Sequence, residues 1–235
     1  SARVILDDSG NYAGSIGMYT DITDRKRMEK ELENRLVSLT RPLDRTEDIR
    51  FDDLFDLETI QRLQDDFAAA AQVASIITHP DGTPITRPSQ FCRLCAGIIR
   101  QTDVGRVNCF NSDAVIGRHN PGGPIIQTCM SGGLWDAGAG ITVGGRHIAN
   151  WLIGQVRDET QTEEKIRAYA AVIGADEETV LAAFREVPAM STTQFQRVAQ
   201  ALFTMANQIS NMAYMNVQQA RFIAESKQSA EALRT

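Results

Sequence analysis

All four cysteines of the chain lie between residues 92 and 129. Cys92 and Cys95 are three residues apart, so on a helix or a turn their side chains point the same way. With Cys109 and Cys129 they make a four-thiolate set of the kind that zinc takes in tetrahedral structural sites. The last two cysteines lie on separate elements and do not form another C-x-x-C. The spacing therefore permits a zinc site at Cys92, Cys95, Cys109 and Cys129 without requiring one.

Two other interpretations of the cysteines stay open. Four thiolates can also hold an iron–sulfur cluster, and accessible thiols can act as redox sensors. Free cysteines are also commonly small, soft and buried core residues that bind nothing.

Polar side chains near the cysteines are candidates for binding a small ligand. Asp113 comes four residues after Cys109, so both can lie on the inner face of one helix. A buried carboxylate that accepts hydrogen bonds from hydroxyl groups would anchor a diol, although Asp113 is equally compatible with a surface position. Gln127 lies on the strand before the last cysteine. Trp135 and Asp136 follow two glycines that permit a close backbone approach and can wall a cavity.

Composition excludes several classes of protein. The net charge of −6 and the single short basic run, Arg25-Lys26-Arg27, argue against a nucleic-acid partner. No apolar run approaches the roughly 20 residues that span a bilayer, and the N-terminus lacks the order of a signal peptide. No G-x-S-x-G, phosphate-binding loop or H-E-x-x-H motif is present, so we expect a non-catalytic, cytoplasmic segment without membrane contact.

The elements that must position these residues follow from hydrophobic periodicity. The pattern predicts strands at residues 73–78, 83–86, 125–129, 138–143 and 147–155, and helical pieces at residues 57–71, 92–100 and 103–118. A strand pair, then helices, then three strands is the order of a PAS-like domain. We therefore predict an α+β fold with a PAS-like five-stranded antiparallel sheet, flanking helices, and N- and C-terminal signalling helices.

Both ends of the chain carry helical stripes. Thr23 can cap a helix with apolar residues at Met28, Leu32, Leu36, Leu39 and Leu43. A longer C-terminal helix carries Phe195, Val198, Leu202, Met205, Ile209 and Met212 at spacings of three and four. Such stripes predict a coiled coil and a homodimer through the flanking helices. The alternatives are a single amphipathic helix at the N-terminus, and a C-terminal helix whose first half packs on the domain while its second half is solvated.

The N-terminal residues resemble the end of a PAS domain. Residues 3–6 and 15–20 alternate as two strands around the turn Asp7-Asp8-Ser9-Gly10-Asn11. The following Gly17-Met-Tyr-Thr-Asp21-Ile-Thr-Asp-Arg25-Lys26 is similar to the closing strand and exit motif of PAS domains in bacterial sensor proteins. The resemblance implies that Asp21 and Arg25 brace the junction with an outgoing signalling helix.

The central residues resemble a second family. The motifs are Phe51-Asp-Asp-Leu-Phe-Asp-Leu, Asp81-Gly82-Thr-Pro-Ile-Thr-Arg-Pro-Ser89, Phe91-Cys92, Cys109 with Asp113, Cys129 with Gly133-Leu134, and Gly154-Gln155. Together, over about residues 51–187, they look like the PocR-type sensory domain, which is regarded as a PAS variant. The resemblance implies a receptor for simple hydrocarbon derivatives such as small diols, and it alone brings Leu134 and Gln155 into the expected site.

These observations give one expected organisation. Residues 1–22 would be the C-terminal hairpin of a PAS domain, 23–50 a signalling helix, 51–190 a PocR-like sensory domain and 191–235 a C-terminal signalling helix. We expect a module of a two-component sensor, such as a sensor histidine kinase, that binds a short diol, alcohol or acid. The competing hypothesis is a cysteine-based metal or redox sensor that holds zinc or an iron–sulfur cluster.

Overall fold

The computed structural model describes residues 2–6, 8–17, 21–28, 30 and 50–232. The chain divides into two compact units, Ser1–Ser38 and Leu39–Thr235. In the first unit, strands β1 (Ala2–Leu6) and β2 (Tyr12–Gly17) pair antiparallel as the expected hairpin, and residues 23–28 are helical. The rest of the helix predicted after Met28 lies outside the described residues, apart from residue 30.

The second unit contains a sheet, six helices among the described residues, and one irregular helical segment. The helices are α1 (Phe51–Leu54), α2 (Leu57–Ala71), α3 (Asp103–Ile116), α4 (Glu163–Ile173), α5 (Glu177–Arg185) and α6 (Thr192–Ala232). The strands are β3 (Ala74–Thr78), β4 (Ile125–Thr128), β5 (Trp135–Val143) and β6 (Arg146–Val156). A π-helical turn, Leu94–Ile98, runs directly into a 3₁₀ turn, Ile99–Gln101.

The sheet has four strands in the order β3-β6-β5-β4, all antiparallel, so the prediction of five strands was wrong. The segment at residues 83–86 lies beside β3 but makes only one isolated bridge, Thr78 to Pro84, and a second isolated bridge joins Ser75 to Ser89 just beyond it. Proline has no N–H to donate to a ladder. The side-chain amide of Gln64, on α2, also donates to the Arg87 carbonyl at 2.8 Å and so takes a group that a strand would use.

The two faces of the sheet bury different partners because strand side chains alternate. Ala137, Ala139 and Ile141 of β5 belong to the core that α6 completes. Gly138 and Gly140 point to the other face, where a side chain at Gly138 would lie 2.6 Å from the Ile116 carbonyl oxygen. Glycine at these positions lets the C-terminal end of α3 lie directly on the sheet. This contact places α3 over the strand that carries Asp136.

Helix α6 packs on the sheet through a face that differs in part from the predicted stripe. The fully buried residues are Phe195, Ala199, Leu202, Ala206, Ile209, Ala213, Val217 and Ala220. Met205 is half-buried and Met212 is 55% exposed, because the small alanines take the inward positions and let the helix lie close to β5. Further along α6, the side-chain amide of Asn216 donates to the Leu54 carbonyl at 3.2 Å.

None of the helices in the described part of the chain combines the length and the apolar content that crossing a lipid bilayer demands.

Candidate functional site

Two small cavities lie between the sheet and the helical segments that carry Cys95 and Cys109. The first has a volume of about 30 Å³ and is bounded mainly by β3 and β6. The second, of about 20 Å³, is bounded by three cysteine side chains, and we call it the thiol cavity. Four polar residues border both: Arg100, Asp113, Asp136 and Gln155. Each cavity has room for one or two water molecules, since a water needs ~10–15 Å³ of such volume.

Arg100 and Asp113 form a buried ion pair. Arg100 lies in the middle of the 3₁₀ turn, after which Thr102 caps α3 by accepting the Gly105 N–H at 3.0 Å. The chain thereby turns back so that Asp113, near the end of α3, meets Arg100. Arg100 Nη2 donates to Asp113 Oδ2 at 2.8 Å, and the two side chains are only 15% and 9% exposed. The guanidinium also lies over the Phe91 ring, 5.0 Å from its centroid.

One hydrogen-bond donor of this ion pair, Arg100 Nε, has no partner among the described residues. Burial raises the pKa of Asp113 to about 6, although the positive charge and hydrogen bond of Arg100 lower it in opposition. Arg100 Nε is fully buried and has no hydrogen-bond partner among the described residues. A buried donor without a partner costs free energy that an incoming acceptor atom would recover.

Asp136 and Gln155 are joined by a bulge in the sheet. Trp135 pairs with Val156 and Asp136 pairs with Gly154, so Gln155 is an extra residue between them. Gln155 adopts a left-handed conformation with φ of 58°, which costs a non-glycine residue ~1–2 kcal/mol. Strain of this kind is typical of positions that serve a binding site.

At the bulge, both the backbone N–H and the side-chain amide of Gln155 make hydrogen bonds within the site. Its backbone N–H donates to Asp136 Oδ1 at 2.9 Å, and its side-chain Oε1 accepts the Cys92 N–H at 2.9 Å. Burial raises the pKa of Asp136 to about 7, against the hydrogen bond from Gln155. At neutral pH, Asp136 therefore exists both as a carboxylate and as a carboxylic acid, and it can accept or donate a hydrogen bond.

A family model described as the sensory domain found in PocR matches residues 53–214, which is more than half of the chain. The chain belongs to the PocR sensory domain family. Comparisons with curated proteins and with solved structures found no match. The family resemblance read from the sequence is thus confirmed, and the cavities lie inside the matched residues of this PocR domain.

Most of the residues predicted to bind a ligand border the two cavities, and two do not. Cys109, Asp113, Cys129, Leu134, Asp136 and Gln155 line one or both. Trp135 does not, because its neighbour Asp136 faces the cavities and alternation sends Trp135 to the opposite side of the sheet, where its indole N–H donates to Asp158 Oδ2 at 2.9 Å. Gln127 pairs with Asp136 across β4 and β5 but is absent from both linings.

Arg100 is the site residue that sequence reasoning missed. It is separated from Asp113 by a change of helix type and by the Thr102 cap, so no helical spacing pairs the two residues. Its position between Phe91 and Phe110, whose rings both lie within 6 Å of the guanidinium, is visible only in three dimensions.

The four thiols of the PocR domain lie in one region of the structure. All four belong to the same apolar cluster or pack against it. Cys95 and Cys109 are buried, and Cys92 and Cys129 are half-buried. Within residues 50–232 and the shorter described ranges before them, no group of three or more His, Cys, Asp or Glu side chains is arranged to hold a metal ion. The zinc site stays a prediction, which elemental analysis of the purified protein tests.

The thiols differ in acidity. Burial raises the pKa values of Cys109 and Cys129. The pKa of Cys95 is also raised, first by its hydrogen bond with Cys92 and then by burial. By contrast, the pKa of Cys92 is lowered to about 7, chiefly by the hydrogen bond from the Cys95 thiol and further by backbone N–H groups.

A larger, open depression lies outside the cavities, and we call it the outer groove. It has a volume of about 430 Å³, and Gln72, Cys92, Arg93, Gln155 and Glu186 are among its lining residues. Arg93 and Glu186 form an exposed ion pair there, with a shortest N–O distance of 2.8 Å. Gln155 borders the outer groove and both cavities, so its side chain lies between the solvent and the buried site.

Proposed function

We propose that this PocR domain is the receptor module of a cytoplasmic bacterial signal-transduction protein, such as a sensor histidine kinase, and that it binds a short diol, alcohol or acid. The observation that carries the proposal is the cluster of Arg100, Asp113, Asp136 and Gln155, all of which border both small cavities. Charged and amide side chains are seldom gathered in a buried space without a partner to satisfy them.

The chemistry of the cluster favours hydroxyl groups. A hydroxyl can accept a hydrogen bond from Arg100 Nε, which has no partner among the described residues, and can also donate one. Asp136 offers an acceptor or a donor according to its protonation state. A molecule with two neighbouring hydroxyls would use both kinds of group at once. The remaining walls include the apolar side chains of Ile76, Leu134 and Leu152, which suit a short hydrocarbon skeleton.

The size of the cavities implies a rearrangement on binding. Neither cavity alone exceeds the volume of one or two waters, so a ligand with several heavy atoms would have to join them. Gln155 borders both cavities and the outer groove, and its hydrogen bond to the Cys92 N–H must open for its side chain to swing aside. We infer that ligand enters through the outer groove past Gln155.

Two short chains of contacts lead from the site to the first turn of α6. The first starts at Asp136, which is adjacent to Trp135 on β5. The Trp135 indole N–H donates to Asp158 Oδ2. The Thr192 hydroxyl, at the start of α6, donates to the same oxygen at 3.3 Å. A shift of Asp136 toward a ligand would move Trp135 and with it Asp158, the residue to which Thr192 also donates.

The second chain of contacts starts from Gln155. Two residues further along, the Arg157 N–H donates to the Pro188 carbonyl and the Arg157 carbonyl accepts the Met190 N–H, both at 3.0 Å. Pro188 and Met190 directly precede α6. Relaxation of the strained backbone at Gln155 would therefore displace the segment on which α6 begins, and occupancy would shift the helix between two packings.

Helix α6 also offers a surface through which two copies could pair. Met212, Met215 and Phe222 are 55%, 66% and 73% exposed, and they recur at spacings of three and seven along one side of the helix. We propose a homodimer through this stripe and the N-terminal helix, in a coiled-coil arrangement that passes the signal to an output domain.

The segment boundaries given above from the sequence belong to this proposal. The strand order β3-β6-β5-β4, with residues 83–89 running beside β3, supports a PAS-like architecture for residues 51–190. The antiparallel hairpin of β1 and β2 supports residues 1–22 as the end of a PAS domain.

Thermal unfolding in the presence of small molecules tests the receptor function. The melting temperature would be followed with a panel of short diols, monohydric alcohols, hydroxy acids and simple carboxylic acids. Binding to the folded state alone stabilises it by ~2.7 kcal/mol at a hundred times the dissociation constant, so at least one compound should raise the melting temperature in a saturable way. A panel without any saturable shift would contradict the proposal.

A further inference from the structure

Cys92 differs from the other three cysteines because it alone lines the outer groove. Cys92 is half-buried and lines the outer groove, while Cys95 is buried and borders the thiol cavity. Cys109 and Cys129 line the thiol cavity but not the groove. A small reagent that arrives from the solvent side of the groove therefore meets Cys92 first.

The backbone places the Cα atoms of Cys92 and Cys95 at a separation that a disulfide can span. The Cys92 carbonyl accepts the Ala96 N–H at 3.0 Å, so Cys92 begins a helical turn and Cys95 lies one turn later. Cα atoms three residues apart in such a turn are about 5 Å apart, within the range of roughly 4.4–6.8 Å found across disulfides.

We propose that Cys92 and Cys95 form a reversible redox pair that a hydroperoxide oxidises to a disulfide. The Cys92 thiolate attacks the hydroperoxide, so that an S–O bond forms, the O–O bond breaks, and the departing oxygen takes a proton and leaves as an alcohol or water. Cys95 then attacks the Cys92 sulfur: the S–S bond forms, the S–O bond breaks, and the hydroxide leaves as water with the Cys95 proton. The two thiols lose two electrons, and the hydroperoxide is reduced.

The pair adjoins the ligand site without sharing its polar cluster. The Cys92 N–H is held by Gln155 Oε1, and Cys95 borders the thiol cavity beside Asp136. Oxidation would therefore change the wall of the cavity on the side where Gln155 closes it. This redox chemistry requires no bound ligand, so it stands or falls independently of the receptor function.

Oxidation by hydrogen peroxide tests the pair. The purified 235-residue chain would be treated with equimolar peroxide, its remaining thiols alkylated, and the intact mass and peptides analysed. Free thiols should fall from four to two, with the loss confined to a peptide that joins Cys92 to Cys95, and dithiothreitol should restore all four. Cys95→Ser should stop at a sulfenic acid on Cys92 that dimedone traps.

Two matched variants decide between this pair and general thiol oxidation. Cys92→Ser should keep its three thiols at the same peroxide dose, whereas Cys109→Ser should lose Cys92 and Cys95 as the wild type does. Circular dichroism checks that each variant is folded. Oxidation of Cys109 or Cys129 at a rate equal to that of Cys92, unchanged oxidation of Cys92→Ser, or equimolar zinc retained on the purified thiols would each overturn the proposal.

Discussion

Asn in place of Asp136 should change how the stability of the domain depends on pH. Burial raises the pKa of this carboxyl from 3.8 to about 7 in the folded protein. Between pH 4 and 7 the folded state therefore binds the proton more tightly than the unfolded chain, and the free energy of unfolding falls as pH rises through this range. At ~1.4 kcal/mol for each tenfold change in proton affinity, ionisation of Asp136 destabilises the fold by about 4 kcal/mol above pH 7.

The isosteric amide keeps the oxygen that accepts the Gln155 N–H but cannot ionise. Urea unfolding followed by far-ultraviolet circular dichroism at pH values from 4 to 8 would compare Asp136→Asn with the wild type. The variant should match the wild type near pH 4 and exceed its stability by up to about 4 kcal/mol at pH 8. Asp113, His147 and Cys92, whose pKa values are also shifted, are present in both proteins, so the difference between the curves reports the ionisation of Asp136 together with its coupling to Asp113 and Cys92.

An exposed carboxylate supplies the control for this experiment. Asp66 lies on the exposed side of α2, and Asp66→Asn should leave the pH dependence as in the wild type. A stability difference between Asp136→Asn and the wild type that does not grow from pH 4 to pH 8 would refute the argument that partial burial beside the cavities raises the pKa of Asp136.

Four further substitutions test the fold and the output helix. Gln72→Gly should raise the free energy of unfolding by ~1 kcal/mol, because Gln72 ends α2 in a left-handed conformation that glycine adopts without strain; a loss in urea unfolding would contradict this. Gly138→Ala should cost at least ~1–3 kcal/mol by forcing α3 off the sheet, and a neutral result would disprove the close approach. Trp135→Phe should speed hydrogen exchange in the first turn of α6 by removing the donor to Asp158; unchanged exchange would exclude that connection. Phe222→Asp should shift a dimer toward monomer in analytical ultracentrifugation, whereas an unaltered dimer would place the interface elsewhere.

The sequence predicted those strands and helix ends that depend mainly on interactions between residues close together in the chain. The strands predicted at residues 138–143 and 147–155 became β5 and β6. Asp176, directly before α5, caps that helix by accepting the Thr179 N–H at 2.9 Å. The family motifs further brought Asp113 and Gln155 into one expected site. Both are buried and both border the two cavities.

The differences arise where tertiary contacts outweigh local pattern. The segment at residues 83–86 has a strand-like sequence, but Pro84 and the side-chain amides from α2 prevent a continuous ladder. Helix α6 was predicted at the right place with part of its buried face wrong, because alanine carries little hydrophobic signal yet allows the closest packing. Arg100 has no sequence signal at all, since its partner Asp113 meets it only after the chain reverses at Thr102.

The central claim is that a small polar ligand binds beside the buried Arg100–Asp113 pair. Isothermal titration calorimetry would be performed with the compound that most raises the melting temperature, on the wild type and on two double variants. Arg100→Leu with Asp113→Leu removes both buried charges together, and such replacements of buried ion pairs are often neutral or stabilising by ~1–4 kcal/mol. Arg93→Leu with Glu186→Leu removes the exposed pair at the outer groove. The account predicts that the first variant stays folded and loses binding while the second binds as the wild type does. Retained binding in the first variant, or loss in the second alone, would contradict it.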